Sequence, residues 1–281
     1  MQKLFLLDAY ALIYRSYYAF IKNPRINSKG LNTSAIMGFL NTLNEVLTKE
    51  QPTHIGVAFD PHGPTFRSEA FPEYKAQREE TPEDIRKAVP IIKDLLKAYR
   101  IPILQVDGFE DDDVIGTLAS KAGDKGIETF MLTPDKDYGQ LVRDNVFIFR
   151  PRHGGGYETM GPKEVCEKYG IPSTNAVIDL LALMGDSADN FPGCPGVGEK
   201  TAVKLINEFG SIEQLIARSS EIKGKLREKV EEHVDDIKMS YFLATIKTDV
   251  PIELDMENLK VLEPNEDKLG KLLLELEMKS F

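Results

Sequence analysis

The 281-residue sequence is poor in the residues that most often announce a function. Its two cysteines, Cys166 and Cys194, stand in unlike contexts without metal-type spacing. That excludes a disulfide framework and a thiolate zinc site, and it fits reduced thiols in a cytoplasmic protein. The four histidines, His54, His62, His153 and His233, are scattered and sit beside no nucleophile, so no Ser–His–Asp or Cys–His arrangement emerges. Long apolar runs are missing, since nothing approaches the roughly 18 residues a membrane span requires. The opening MQKLFLLDAY holds too short an apolar run for a signal peptide, and Asp8 interrupts it. No membrane partner is expected. Positive charge is also scarce: Lys and Arg number 35 against 45 Asp and Glu, for a net charge of −10. On its face this argues against a nucleic-acid partner, because phosphate binders are usually basic.

What is present reads as an ordinary globular chain, 42% hydrophobic and 28% charged, with no internal repeat or low-complexity tract. Its length suits one large domain or one plus a small appendage. Short apolar runs at 3–10, 54–61, 101–110, 127–137 and 145–151 alternate with helix-like stretches. That alternation predicts an α/β fold, a mostly parallel sheet flanked by helices. Beyond about residue 160 strand signals fade and helical ones dominate. The expected layout is therefore an α/β domain over 1–160 and a helical region over 161–281, without a flexible linker.

The acids fall in a pattern. Asp8, Asp60, Asp135 and Asp137 each stand at or just after the end of a predicted strand, and Glu110, Asp112 and Asp113 follow the third strand and open a helix. Ligands of an open parallel sheet bind in the crevice outside those strand ends. Alone, the run Glu110–Asp113 is explained as a helix start, where acids favour the macrodipole and cap free N–H groups. Acids at four strand ends favour instead a cation site, and an all-oxygen site suits Mg²⁺ or Mn²⁺ rather than zinc. GDSADN adds Asp186 and Asp189, residue types that also favour turns. Setting these nine acids aside leaves a formal charge of −1, and the objection to a nucleic-acid partner largely disappears.

Two further segments bear on such a partner. GCPGVGEKT (193–201) is no nucleotide-binding phosphate loop, because Glu199 separates Gly198 from Lys200 and no strand precedes it. A helix, a glycine hairpin and a second helix fit better, offering N–H groups and a helix N-terminus to a phosphate, with Lys200 and Lys204 nearby. In 66–100, Arg67, Lys75 and Arg78 come with Phe66, Phe71 and Tyr74, a mixture that suits a surface tracking a nucleic-acid backbone. Glu69, Glu73, Glu79 and Glu80 dilute it, so a solvated helical face stands as an equal alternative. Tyr10, Tyr14 and Tyr17 or Tyr18 lie at helical spacing and are expected to pack rather than stack on bases.

The stretches LLDAYALIYRSYYAF, VAFDPHGPTFRSEAFPEYKAQR, GFEDDDVIGTLA, LTPDKDYGQL and GDSADNFPGCPGVGEKTA together resemble the 5′ nuclease or flap endonuclease superfamily. Within it they resemble the N-terminal 5′→3′ exonuclease domain of bacterial DNA polymerase I, in that family's order and spacing over about residues 4–206. The resemblance implies a PIN-like fold with a helical arch at about 67–100 and a helix-hairpin-helix element at about 180–210. It implies two divalent metals, with Asp8, Asp60, Glu110 and Asp112 serving the first, Asp135, Asp137 and Asp186 the second, and Asp112 near both. Asp113 and Asp189 match further metal-site acids acting through water. Lys75 and Arg78 match catalytic basic residues of the arch, and Arg67 and Tyr74, with Gly196, Gly198, Lys200, Thr201 and Lys204 of the hairpin, are implied DNA contacts. By position, the carbonyls of Leu183, Met184, Pro192, Cys194 and Val197 would face a potassium ion. One departure stands out: the family usually reads Glu-Ala-Asp-Asp, and here Asp111 replaces the alanine. Helix geometry turns it about 100° from Glu110, so a solvated helix-start acid and no metal ligand is expected.

The expected activity is two-metal hydrolysis of DNA phosphodiester bonds at a 5′ end or flap next to duplex, by a monomer. The alternatives are a stand-alone 5′ nuclease acting on RNA or RNA–DNA, a phosphohydrolase of small esters, and a non-catalytic DNA-structure binder. The abrupt apolar end KLGKLLLELEMKSF suits an excised domain with a polymerase domain attached in the full-length protein, and a stand-alone exonuclease is the other possibility.

Overall fold

The structure, a computed structural model, describes residues 1–76, 78, 80–278 and 281; Glu79, one of the arch acids named above, lies outside them. β1 (Lys3–Asp8) is buried at every residue but its first, the pattern of a strand covered on both faces. Leu4 and Leu6 enter one apolar cluster while Phe5 and Leu7 enter the other, because successive strand residues point to opposite faces. α1 (Ala9–Ala19), α2 (Ser34–Glu45) and a π-helical turn at Val46–Glu50 lead to β2 (His54–Ala58). Then come α3 (Phe66–Ala70), α4 (Glu83–Tyr99), β3 (Ile103–Leu104) and α5 (Asp111–Asp124). β4 (Glu128–Leu132), a 3-10 turn at Lys136–Leu141, β5 (Val146–Pro151) and β6 (Tyr157–Met160) complete the sheet.

The strand order is β3-β2-β1-β4-β5-β6, parallel except where β6 runs antiparallel to β5. All five expected runs form strands, with two differences. The third pairs over only two residues, because after Leu104 the chain leaves the sheet for the loop that delivers Glu110. β6 went unrecognised, since YETM carries little apolar signal; it is created by the hairpin through Gly154, Gly155 and Gly156, all at positive φ.

The arch is also shorter than 67–100. α4 buries Ile85, Ala88, Val89, Ile92, Leu95 and Leu96, the three- and four-residue spacing of an amphipathic crossover helix, and lies in the core.

Downstream of β6 the chain is helical: α6 (Pro162–Tyr169), α7 (Val177–Met184), α8 (Glu199–Phe209), α9 (Ile212–Ala217), α10 (Gly224–Glu232), α11 (Val234–Ala244), α12 (Met256–Leu259) and α13 (Glu266–Glu275). One apolar cluster joins Leu4 and Leu118 to Leu180, Leu205 and Ile237, so a single core crosses residue 160. α13 returns to the opposite face, where Leu273 is buried in the cluster that holds α4. Among the described residues no helix is long and apolar enough to cross a membrane.

Candidate active site

The direction of winding changes at β1, with β2 and β3 on one side and β4 and β5 on the other. Such a switch leaves a crevice at the carboxyl edge of the sheet, and most of the predicted acids line it. Asp8 ends β1 and caps α1, its Oδ1 accepting from the Ala11 N–H at 3.3 Å. Its Oδ2 accepts from the Thr133 and Tyr138 hydroxyls, each at 3.0 Å. Asp60, beyond β2, accepts the N–H of Asp111 at 2.9 Å. Across the crevice, Asp135 caps the 3-10 turn through the Asp137 N–H at 2.9 Å, and the Tyr169 hydroxyl donates to Asp137 at 3.4 Å. Asp186 accepts the N–H groups of Ala188 and Asp189 at 2.8 and 3.2 Å.

The start of α5 forms the back wall, where Glu110, Asp112 and Asp113 bring carboxylate oxygens within 4.8 Å of one another. Arg67 holds that wall together. It bonds Glu110, both oxygens of Asp113 at 2.8 and 2.7 Å, and the carbonyls of Leu243 and Thr245 at 2.9 and 2.7 Å. Asp113 also accepts the N–H groups of Glu110 at 3.1 Å and Lys247 at 2.8 Å, so four donors occupy its two oxygens. Two implied DNA contacts lie inside the protein. Arg67 is 1% exposed and fully engaged inside the protein, and Tyr74, 8% exposed, packs with Phe191 and Leu243 while its hydroxyl reaches Glu110. Neither offers a surface to a nucleic acid here.

Lys75 adopts a left-handed backbone (φ 57°), a conformation that costs a non-glycine residue roughly 1 kcal/mol or more. The turn aims its ammonium inward onto Glu110, while its N–H donates to the Asp189 carbonyl at 2.7 Å. Arg78 pairs with Asp189 and is 54% exposed on its side chain. Both implied catalytic cations thus lie against the acid cluster.

Asp111 also departs from expectation. It does point away from Glu110, but that direction leads to Asp8 and Asp60 rather than to solvent, and the residue is 8% exposed. Because α5 enters the crevice, a rotation of about 100° carries the side chain from one wall to the next rather than into solvent. Asp111 Oδ2 and Asp112 Oδ1 are buried with no hydrogen-bond partner.

The electrostatics follow from this crowding. Burial, then the charges of Asp60 and Asp8, push Asp111 well above the usual carboxylate range. Burial, then Asp113 and Glu110, do the same to Asp112. Burial opposes ionisation of Glu110, but Lys75 and Arg67 outweigh it and hold that carboxyl low. Asp135 is pushed up to about 6 by burial against the opposing Asp137 N–H, and Asp137 to about 8 by burial and then Asp135. Asp60 and Asp186 are likewise raised by burial.

At the helical end, Gly185 (φ 67°) and Gly193 (φ 59°) let two backbones meet closely, and the Gly193 N–H donates to Ser240 Oγ at 2.7 Å. Gly196 (φ 84°) turns the chain into Gly198, the N-cap of α8, which Lys200, Thr201 and Lys204 follow. Lys200 and Lys204 are exposed. The carbonyls of Leu183 and Cys194, two of the five expected to face potassium, accept the N–H groups of Cys194 and Val197 and close the turn itself. Both cysteines are free, and burial pushes the Cys194 thiol up to about 11.

Sequence reading missed the residues that orient these acids. Thr133, Tyr138 and Tyr169 each hold a carboxylate by a hydroxyl; Thr133 and Tyr138 stand in the motif LTPDKDYGQL, while Tyr169 lies outside the motifs. The 243–247 segment acts through backbone atoms, which carry no residue-specific signal.

Comparison with known proteins places the chain. Residues 3–170 match the family model of the 5′-3′ exonuclease N-terminal resolvase-like domain, and residues 173–267 that of the 5′-3′ exonuclease C-terminal SAM fold. The chain is 41% identical over 283 residues to a DNA polymerase I of Bacillus caldotenax, covering 100% of this chain and 32% of that protein. It therefore spans about a third of the length of such polymerases. A 5′-3′ exonuclease of Aquifex aeolicus (strain VF5) is 39% identical over 280 residues, covering 100% of this chain and 94% of that protein. Among solved structures, the bacteriophage T5 flap endonuclease, in a pseudo-enzyme-product complex with DNA and metal ions, superimposes with a TM-score of 0.74 at 19% identity, covering 99% and 100% of the two chains. The chain belongs to the 5′-3′ exonuclease family, which it shares with part of DNA polymerase I.

Proposed function

We propose that this chain hydrolyses DNA phosphodiester bonds at a 5′ end or 5′ flap next to duplex, with two divalent cations, Mg²⁺ or Mn²⁺. The observation that carries this reading is the gathering of acids at the sheet's carboxyl edge with two buried carboxylate oxygens that no protein donor satisfies. A buried carboxylate without a partner is costly, and an oxygen-only donor set suits these ions. Asp8, Asp60, Glu110 and Asp112 would hold one, and Asp135, Asp137 and Asp186 the other, with Asp112 serving both. Bound there, such cations supply Lewis acidity that makes water nucleophilic at neutral pH and eases departure of the 3′ oxygen.

The chain's own residues do the rest. Lys75 and Arg78, now paired with Glu110 and Asp189, carry the positive charge that would stabilise the phosphate as it reacts. Thr133 and Tyr138 fix the orientation of Asp8, as partners of ligating carboxylates do. Asp113, its oxygens already occupied, serves by anchoring Arg67 and the start of α5. The exposed lysines and the N-terminus of α8 would hold duplex backbone without reading bases.

A 5′-labelled flap substrate tests the reading. Mg²⁺ should support cleavage at the flap base, EDTA should abolish it, and Lys75→Ala should slow single-turnover cleavage roughly 10²–10³-fold. Cleavage indifferent to EDTA would overturn it, as would flap binding in Mg²⁺ or Mn²⁺ without any cut.

A further inference from the structure

Three acids at the β1 and β2 side of the crevice lack the basic partners found at the α5 wall. Glu110, Asp112, Asp113 and Asp189 each lie within ion-pair distance of Arg67, Lys75 or Arg78. Among the described residues no arginine or lysine forms such a pair with Asp8, Asp60 or Asp111. Asp8 has hydroxyl donors and Asp60 a backbone donor, yet Asp111 Oδ2 is buried with none. The Asp111 carboxyl lies within hydrogen-bonding reach of that of Asp8, and its backbone N–H rests on Asp60.

Among the described residues no N–H or hydroxyl donor reaches Asp111 Oδ2. The bond from Asp111 to Asp60 uses the main chain and survives any replacement of the carboxyl. Without a cation, the carboxyl carries a burial cost and repulsion from Asp60 and Asp8, set against one hydrogen bond with Asp8 when a proton is shared. Carboxylates gathered without a protein cation are stabilised by a hard, oxygen-seeking ion.

We infer that Asp111 is a third carboxylate ligand, with Asp8 and Asp60, for a divalent cation at the β1–β2 side of the crevice. The inference rests on the metal-dependent nuclease reading and adds to it a ligand from the position where alanine was expected. Its consequence is tighter ion binding at that site than the other acids alone provide.

The test is calorimetric titration of the DNA-free chain with MnCl₂, comparing the parent with Asp111→Ala and the near-isosteric Asp111→Asn, alongside thermal melts with and without Mn²⁺. Both variants should bind Mn²⁺ at one site roughly 10- to 100-fold more weakly, the scale on which a metal's supporting groups act. Both should melt higher than the parent in EDTA and gain less from Mn²⁺. Unchanged Mn²⁺ affinity in both variants, with the parent binding normally, would overturn the inference and leave the nuclease reading intact. A parent that binds no Mn²⁺ would overturn both.

Discussion

Arg67 spends all five of its guanidinium hydrogens inside the protein, on Leu243, Thr245, Glu110 and Asp113. It ties α3 to the start of α5 and to the chain leaving α11, so the back wall of the crevice is one cross-linked unit. Removing it strands Asp113, which is 0% exposed. Arg67→Ala is expected to destabilise the fold by about 3–5 kcal/mol, the cost of breaking a buried ion pair from one side. Arg67→Lys should recover little, because an ammonium cannot match the planar fork on Asp113. Urea unfolding checks both, and a loss below about 1 kcal/mol for the alanine variant, the level of a surface pair, would refute this role. Residue identity in the sequence marked Arg67 as a site residue; only its burial shows that it acts on protein rather than on DNA.

At the scale of elements, the helical hairpin depends on a close backbone crossing. A Cβ on Gly193 would lie 2.4 Å from Gly185 N and 2.7 Å from Leu183 O, at a φ of 59°. Gly193→Ala should therefore cost about 1–3 kcal/mol and weaken duplex binding, since the turn that presents α8 must shift. Gly198→Ala is the control: its Cβ meets nothing within 4 Å and its φ is −86°, so stability should change by no more than about 1 kcal/mol. Urea unfolding and fluorescence anisotropy on duplex DNA measure the pair, and equal behaviour of the two variants would contradict the hairpin's dependence on that crossing. Elements with strong periodicity were legible from sequence, as β1, β2 and β4 show. β3, β6 and the extent of the arch were not, because a two-residue strand, a short polar strand and a helix divided between two roles carry no local pattern.

For the whole molecule, the acid crevice makes stability depend on pH and on metal together. Asp135 and Asp137 sit at about 6 and about 8, above the 3.8 of an ordinary aspartate, so between those limits the folded chain binds more protons than the unfolded one. Stability contributed by these groups is therefore fully present below pH 3.8 and is lost as pH rises through about 6 and then about 8. Glu110, held low, acts in the opposite sense and only at acid pH. In EDTA the melting temperature should fall from pH 6 to 9, and the increment from Mg²⁺ should grow over the same range, because the ion competes with those protons. A metal-free melting temperature that is flat or rising across that range would contradict this coupling.

Sequence by itself determined the α/β class, the strand-end acids and the place of the glycine hairpin, because apolar period, residue type and turn chemistry are local properties of the chain. The family resemblance implied that Lys75 and Arg78 stand over the active site, and their pairing with Glu110 and Asp189 is seen only in the fold. Tertiary structure alone decided what each carboxylate touches. Asp113 is saturated, Asp112 and Asp111 have an unsatisfied oxygen each, and Arg67 and Tyr74 face inward. Those outcomes turn on burial and on partners more than a hundred residues away, such as Thr245 and Lys247. A charged side chain's environment is set by such distant groups, and no local pattern of residues records it.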